Sequence, residues 1–208
     1  MKLQLALDRI TLEQALELAR STAEYVDIIE VGTSLIKDYG MESVRVIKDE
    51  FPDHLILADI KTMDEGEYEF RAAFQAGADI ATVMAAAPID TVAICYEVAE
   101  ELGKQVMIDL LGVGSEKLRS LEPFRDAWLC VHAPVDQKEK NLVEHVSQFQ
   151  KEFPDFQYVA VAGGVRLEDV QQFKSQAPGI IIVGSAITKK EKPEQAAESF
   201  YAALERKE

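Results

Sequence analysis

Cysteine, basic charge and long apolar runs are all scarce in this chain, and each scarcity removes a class of function. There are two cysteines in 208 residues, Cys95 and Cys130. Both lie in apolar segments without metal-ligand spacing, so they read as reduced core residues of a cytoplasmic protein, not as a disulfide frame or a zinc site. Basic residues number 22 against 37 acidic ones, for a net charge of −15. Such a surface repels phosphates and anionic lipid, so no nucleic-acid or membrane partner is expected. No apolar stretch approaches the roughly 20 residues needed to span a bilayer. The opening Met1–Leu5 lacks the apolar run of a signal peptide.

What is present is a regular alternation of short apolar runs and amphipathic segments. Strands are expected at 3–8, 27–32, 55–60, 79–85, 105–110, 127–133, 158–163 and 179–184. Helices are expected near 11–22, 40–50, 65–76, 88–102, 115–122, 138–151, 167–174 and 193–206. Thr11-Leu-Glu-Gln, Pro88 and Pro193 are helix-start signals. Gly77 and Gly103 suit helix C-terminal ends. A β-α unit repeated eight times at about 25 residues implies a parallel sheet. Eight units close most economically into a (β/α)8 TIM barrel, one domain over residues 1–208. The alternative is an open doubly wound sheet. That fold usually has a glycine-rich turn after its first strand, where this chain has Asp8-Arg9-Ile10-Thr11. In the first strand Leu3, Leu5 and Leu7 share one face and Gln4, Ala6 and Asp8 the other. The large residues should face helices, and the small or polar ones the barrel interior.

Polar residues gather where the apolar runs end, which is where barrels of this kind carry their active sites. The strand ends deliver Asp8, Glu30, Asp59 with Lys61, Asp109 and His132. Asp59 and Lys61, two apart on a strand, should point the same way and Ile60 the opposite way. A second carboxylate, Asp64, follows three residues on. His54 precedes the third strand and His145 lies in a helix with charged neighbours, so neither is expected in the site.

Asp8, Glu30, Asp59 and Asp109 would bring up to four negative charges together, against one from Lys61. Like charges at short range raise each other's pKa unless a cation intervenes. Oxygen ligands without cysteine favour Mg²⁺, completed by water and substrate oxygens. Glu30 and Asp59, on neighbouring strands, are the candidate ligands. The seventh and eighth strands end in Gly163-Gly164 and Gly184-Ser185. Glycine lets a ligand reach backbone N–H groups, and the phosphate site of such barrels commonly follows these two strands. A phosphorylated small molecule is the natural substrate.

These residues resemble the 3-hexulose-6-phosphate synthase branch of the orotidine-5'-monophosphate decarboxylase suprafamily. The likeness runs from Leu3–Asp8 through Ile-Ile-Glu30-Val-Gly-Thr and Ala-Asp59-Ile-Lys61-Thr-Met-Asp64. It continues in Val-His132 with Asp136-Gln137, Val-Ala-Gly-Gly164 and Val-Gly-Ser-Ala-Ile-Thr188. The resemblance implies a homodimeric barrel using Mg²⁺. The implied reaction is aldol addition of formaldehyde to D-ribulose 5-phosphate through an enediolate, giving D-arabino-hex-3-ulose 6-phosphate, and its reverse. It further implies that Glu30 and Asp59 bind the metal, that Lys61 contacts substrate and that His132 transfers a proton. Asp64 would serve the neighbouring subunit's site, so that active sites are shared, and the two glycine turns would bind phosphate.

Two other readings stand beside it. One is 3-keto-L-gulonate-6-phosphate decarboxylase, which forms a related enediolate by losing CO₂. That branch usually has an arginine-containing segment after the histidine and a glutamate ending strand five. This chain has Ala133-Pro134-Val135 and Asp109. The other is a non-catalytic sugar-phosphate binder. Synthases usually carry Thr-Gly after the histidine, where this chain has Ala133-Pro134, a stiffer pair.

Overall fold

A computed structural model describes residues 1–133 and 141–205 of the chain. The strands are β1 (Lys2–Leu7), β2 (Ile28–Val31), β3 (Leu55–Thr62), β4 (Ile80–Met84), β5 (Gln105–Asp109), β6 (Trp128–His132), β7 (Val159–Ala162) and β8 (Ile180–Val183). Each pairs in parallel with its sequence neighbours, and β8 returns to β1 to close the barrel. The closed barrel, not the open sheet, is what the chain forms, and closure leaves no unpaired edge.

The helices are α1 (Leu12–Thr22), α2 (Thr33–Tyr39), α3 (Glu42–Glu50), α4 (Gly66–Gln75), α5 (Ile89–Glu101), α6 (Ser115–Arg119), α7 (Leu142–Glu152), α8 (Leu167–Phe173), α9 (Ser185–Thr188) and α10 (Pro193–Glu205). Every expected helix has its counterpart. Residues 138–140 of the seventh, residue 206 of the last, and the Pro134, Val135, Asp136 and Gln137 positions lie outside the described residues. The short α2 and α9 were not expected. Gly40 separates α2 from α3, so the two do not form one periodic run. Thr11 opens α1 with a reciprocal cap: its Oγ1 accepts from Gln14 N at 3.2 Å, and Gln14 Oε1 accepts from Thr11 N at 3.0 Å.

Alternation along the strands divides the apolar residues into two cores. Leu3, Leu5, Leu7, Ile56 and Ala58 face outward and pack under the helices. Ile28, Leu57, Ile80, Met107, Cys130, Ile180 and Ile182 fill the barrel interior. Burying a large aliphatic side chain contributes about 1.5–3 kcal/mol, so a one-residue slip in any strand would expose its whole set. At the N-terminal end of the barrel Asp79 accepts from Lys48 Nζ at 2.9 Å, Lys104 Nζ at 2.8 Å and Ile56 N at 3.0 Å. This ties the starts of β3 and β4 to α3 and to the turn before β5, far from the polar mouth. Among the described residues no helix is long and apolar enough to cross a membrane.

Candidate active site

Above the apolar plug, the inward side chains turn polar. A cavity of about 1160 Å³ opens there, lined by Asp8, Glu30, Asp59, Lys61, Asp109 and His132 among others. All six ionisable groups expected at the strand ends therefore share one cavity. Asp64 is not among them. It is exposed, its Oδ1 accepts from Glu65 N at 2.9 Å, and it lines a separate hollow beside α4 and α5. His54 sits before β3 with Nε2 at 3.0 Å from Ala23 O, away from the cavity.

Asp109, 3% exposed, is the hub of one side. Its Oδ2 lies 2.8 Å from Lys61 Nζ and 2.8 Å from His132 Nδ1, and its Oδ1 accepts from Leu111 N at 2.9 Å. Burial works against the charged form, but His132 and Lys61 outweigh it and hold the carboxyl down at about 2. An ionised carboxylate only accepts, so His132 Nδ1 carries the hydrogen, and in the neutral ring the lone pair is on Nε2. Burial also opposes charge on Lys61, yet Asp59 and Asp109 raise its pKa above the ordinary lysine value. Lys61 is an ammonium, suited to stabilise negative charge.

Asp59 is held from three directions. Thr33 Oγ1 donates to its Oδ2 at 2.7 Å, while Thr82 Oγ1 and Lys61 Nζ each approach Oδ1 at 3.0 Å. Asp59 continues the inward row of Leu55 and Leu57, as alternation requires. Lys61 meets it by a different route from the expected regular strand. The β3–β4 register shifts between Ala58 and Thr62, and Lys61 has φ +49°. A bulge aims the ammonium, because an undistorted strand does not bend its tip toward Asp109 as well.

Glu30 is 8% exposed and accepts from Gln4 Nε2 at 2.6 Å. Burial, and then the negative charge of Asp59, push its carboxyl up to about 8, against the opposing pull of Gln4 and Lys61. Lys61 is committed to Asp59 and Asp109. Gln4 Oε1 is buried without a hydrogen-bond partner. Among the described residues no three His, Cys, Asp or Glu side chains gather closely enough to enclose an ion. Two hard carboxylates beside an unmet acceptor fit a hydrated Mg²⁺, which keeps water and takes only one or two carboxylates from a protein.

The glycine turns follow β7 and β8 and line the same cavity. Gly163, at φ +96°, has a fold reason to be glycine: a Cβ there would sit 2.1 Å from Ala133 O. It lets Ala133 pack against the end of β7. Gly184 has none of that crowding, since a Cβ would meet nothing nearer than Ala6 O at 3.6 Å. Its missing side chain leaves the cavity open. Gly164 and Ser185 complete this wall. Asp8 is bound by Ser34, whose N–H donates to Oδ1 at 3.1 Å and whose hydroxyl donates to the same oxygen.

The sequence reading passed over Gln4, Thr33 and Thr82, and the cavity cations Arg166 and Lys189. Gln4 had a signal, a polar residue on the inward face of β1 between buried leucines. Arg166 follows Gly164 by two and is paired with Glu168 and Asp169. Lys189 ends α9 and makes no ion pair among the described residues. Nothing in local sequence marks the two threonines.

Comparison with known proteins places this geometry. The model of the orotidine 5'-phosphate decarboxylase / HUMPS family matches residues 1–200. The 3-hexulose-6-phosphate synthase of Mycobacterium gastri is 36% identical over 209 residues, covering 98% of this chain and 100% of the relative. The crystal structure of 3-hexulose-6-phosphate synthase from Salmonella typhimurium superposes with a TM-score of 0.93 at 36% identity, over 98% of each chain. The 3-keto-L-gulonate-6-phosphate decarboxylase of Vibrio cholerae superposes with a TM-score of 0.86 at 29% identity, over 98% of this chain and 96% of that one.

Proposed function

The chain belongs to the orotidine 5'-phosphate decarboxylase / HUMPS family, and on that premise we propose that it is an aldehyde-lyase joining formaldehyde to D-ribulose 5-phosphate. The product is D-arabino-hex-3-ulose 6-phosphate, and the reaction runs in both directions. The observation that carries this reading is the shared contact of Lys61 and His132 with Asp109 Oδ2, each at 2.8 Å. It sets a base beside a cation, as proton removal next to a ketone requires.

His132 Nε2 takes a proton from C1 of the sugar, next to the C2 ketone. The electron pair of the broken C–H bond leaves an enediolate. Lys61 stabilises the charge as it develops on oxygen. The enediolate carbon attacks formaldehyde, a C–C bond forms, and the new alkoxide recovers the proton. Glu30 and Asp59 would hold Mg²⁺, which supplies further neutralisation of the substrate oxygens when bound. Gly163, Gly164, Gly184 and Ser185 receive the phosphate, with Arg166 and Lys189 as nearby cations.

Asp64 is assigned to the site of a second copy of the chain. Its support is the exposed apolar surface around it, where Met63 is 48% and Tyr68 73% exposed. The decarboxylase reading is second. Strand five ends in Asp109 where that branch has a glutamate, and the synthase relatives are more similar to the chain.

The test is incubation of the purified protein with ribulose 5-phosphate and formaldehyde, with Mg²⁺ or with EDTA, followed by NMR. Mg²⁺-dependent hexulose phosphate supports the aldolase and the metal together. Folded protein that binds ribulose 5-phosphate without turnover overturns the aldolase, and CO₂ release from a 3-keto sugar acid phosphate identifies the decarboxylase.

A further inference from the structure

Thr82 sits where the ladder between β3 and β4 breaks, the one register shift among the described residues. Ala58 pairs with Ala81 and Thr62 with Val83, so Asp59, Ile60 and Lys61 together oppose Thr82 alone. Three residues against one force a bulge, and the strain falls on Lys61 at φ +49°, a left-handed conformation that a long side chain rarely adopts. Such a conformation persists only where its surroundings hold it.

One hydroxyl does the holding. Thr82 Oγ1 accepts from Lys61 N at 2.9 Å and donates to Asp59 Oδ1 at 3.0 Å. The same Oδ1 receives Lys61 Nζ at 3.0 Å, and that ammonium reaches Asp109 Oδ2 at 2.8 Å. Thr82 is 4% exposed, so these bonds are largely shielded from water. A hydroxyl is the smallest side-chain group that accepts and donates at once. Valine has the same shape and does neither.

We propose that Thr82 is a positioning residue: its hydroxyl locks the bulge at Lys61 and the Asp59 carboxylate into one geometry, so that the ammonium bridges Asp59 and Asp109. The functional part rests on the aldolase reading above. Groups that orient a metal ligand typically matter about 10- to 100-fold in activity or metal affinity.

The test compares Thr82→Val and Thr82→Ser with wild type in two readouts, steady-state kinetics and residue-resolved amide hydrogen exchange. Thr82→Val should lower kcat about 10- to 100-fold with a smaller change in KM for ribulose 5-phosphate, and Lys61 N–H should exchange faster. Thr82→Ser, which keeps the hydroxyl, should stay near wild type in both. Thr82→Ala replaces the valine variant if that protein does not fold. Unchanged kcat and Lys61 exchange without the hydroxyl overturn the proposal. So does a serine variant as impaired as the valine one, since the methyl group would then be what matters. A wild-type protein with no aldolase turnover sinks the reaction instead; Lys61 exchange in Thr82→Val then decides whether the tie exists.

Discussion

His132 Nδ1 and Asp109 Oδ2 lie 2.8 Å apart at adjoining strand ends, β6 and β5, with the carboxylate 3% exposed. The pair fixes Nδ1 as the nitrogen turned to the carboxylate and leaves Nε2 outside the contact. Asp109 is also the counter-ion of Lys61, so one carboxylate orders both side chains.

Asp109→Asn should therefore lower kcat by about 10²–10⁴-fold, the range for loss of a general base. An amide can donate to Nδ1 and leave the hydrogen on the wrong nitrogen. Formaldehyde consumption at saturating ribulose 5-phosphate measures it, and near-normal kcat would show that His132 needs no such partner.

Glu30 makes stability depend on pH in a direction opposite to a salt-bridged acid. Its carboxyl is raised from 4.5 to about 8 in the folded chain. Between those values the folded protein holds a proton that the unfolded chain has lost, so stability declines as pH rises through the window. In metal-free buffer, Glu30→Gln should gain on wild type by about 4 kcal/mol between pH 5 and pH 8.5. Mg²⁺ should stabilise wild type at the upper pH and leave the variant unmoved. Urea melts at the two pH values are the measurement, and parallel behaviour of the two proteins counts against the assignment.

Lys61→Ala and Asp64→Ala should each be inactive as homodimers. Mixed and reassociated, they should regain about a quarter of the activity, because half of the dimers are mixed and one of their two sites is intact. No recovery in confirmed heterodimers would remove Asp64 from a shared site.

Gly163→Ala should destabilise the protein by more than about 1 kcal/mol, since φ +96° is unsuited to alanine and the added Cβ meets Ala133 O. Activity should fall with it, because Ala133, next to His132, must shift. Calorimetry together with kcat checks both, and an unperturbed variant would show that this contact is slack.

The two apolar periods made the barrel legible. Eight runs with inward and outward faces, such as Leu3, Leu5 and Leu7 against Gln4 and Ala6, are local patterns, and closure follows from burying both faces. The six ionisable strand ends were legible for the same reason, because every strand delivers its last inward residue to one mouth. The bulge was not. It arises from the pairing of β3 with β4, and no residue near Lys61 announces that three positions will face one. Thr82 was invisible for a related reason: a threonine in an apolar strand reads as β-propensity until its neighbour's carboxylate is in view. Thr33, the first residue of α2, carries no local mark of the contact either. Alternation along the chain thus determined the fold and the roster of charged groups by itself. Only the tertiary structure decided which of them touch, that Asp109 serves both Lys61 and His132, and that Asp64 turns away, because those are contacts between strands whose register no single segment encodes.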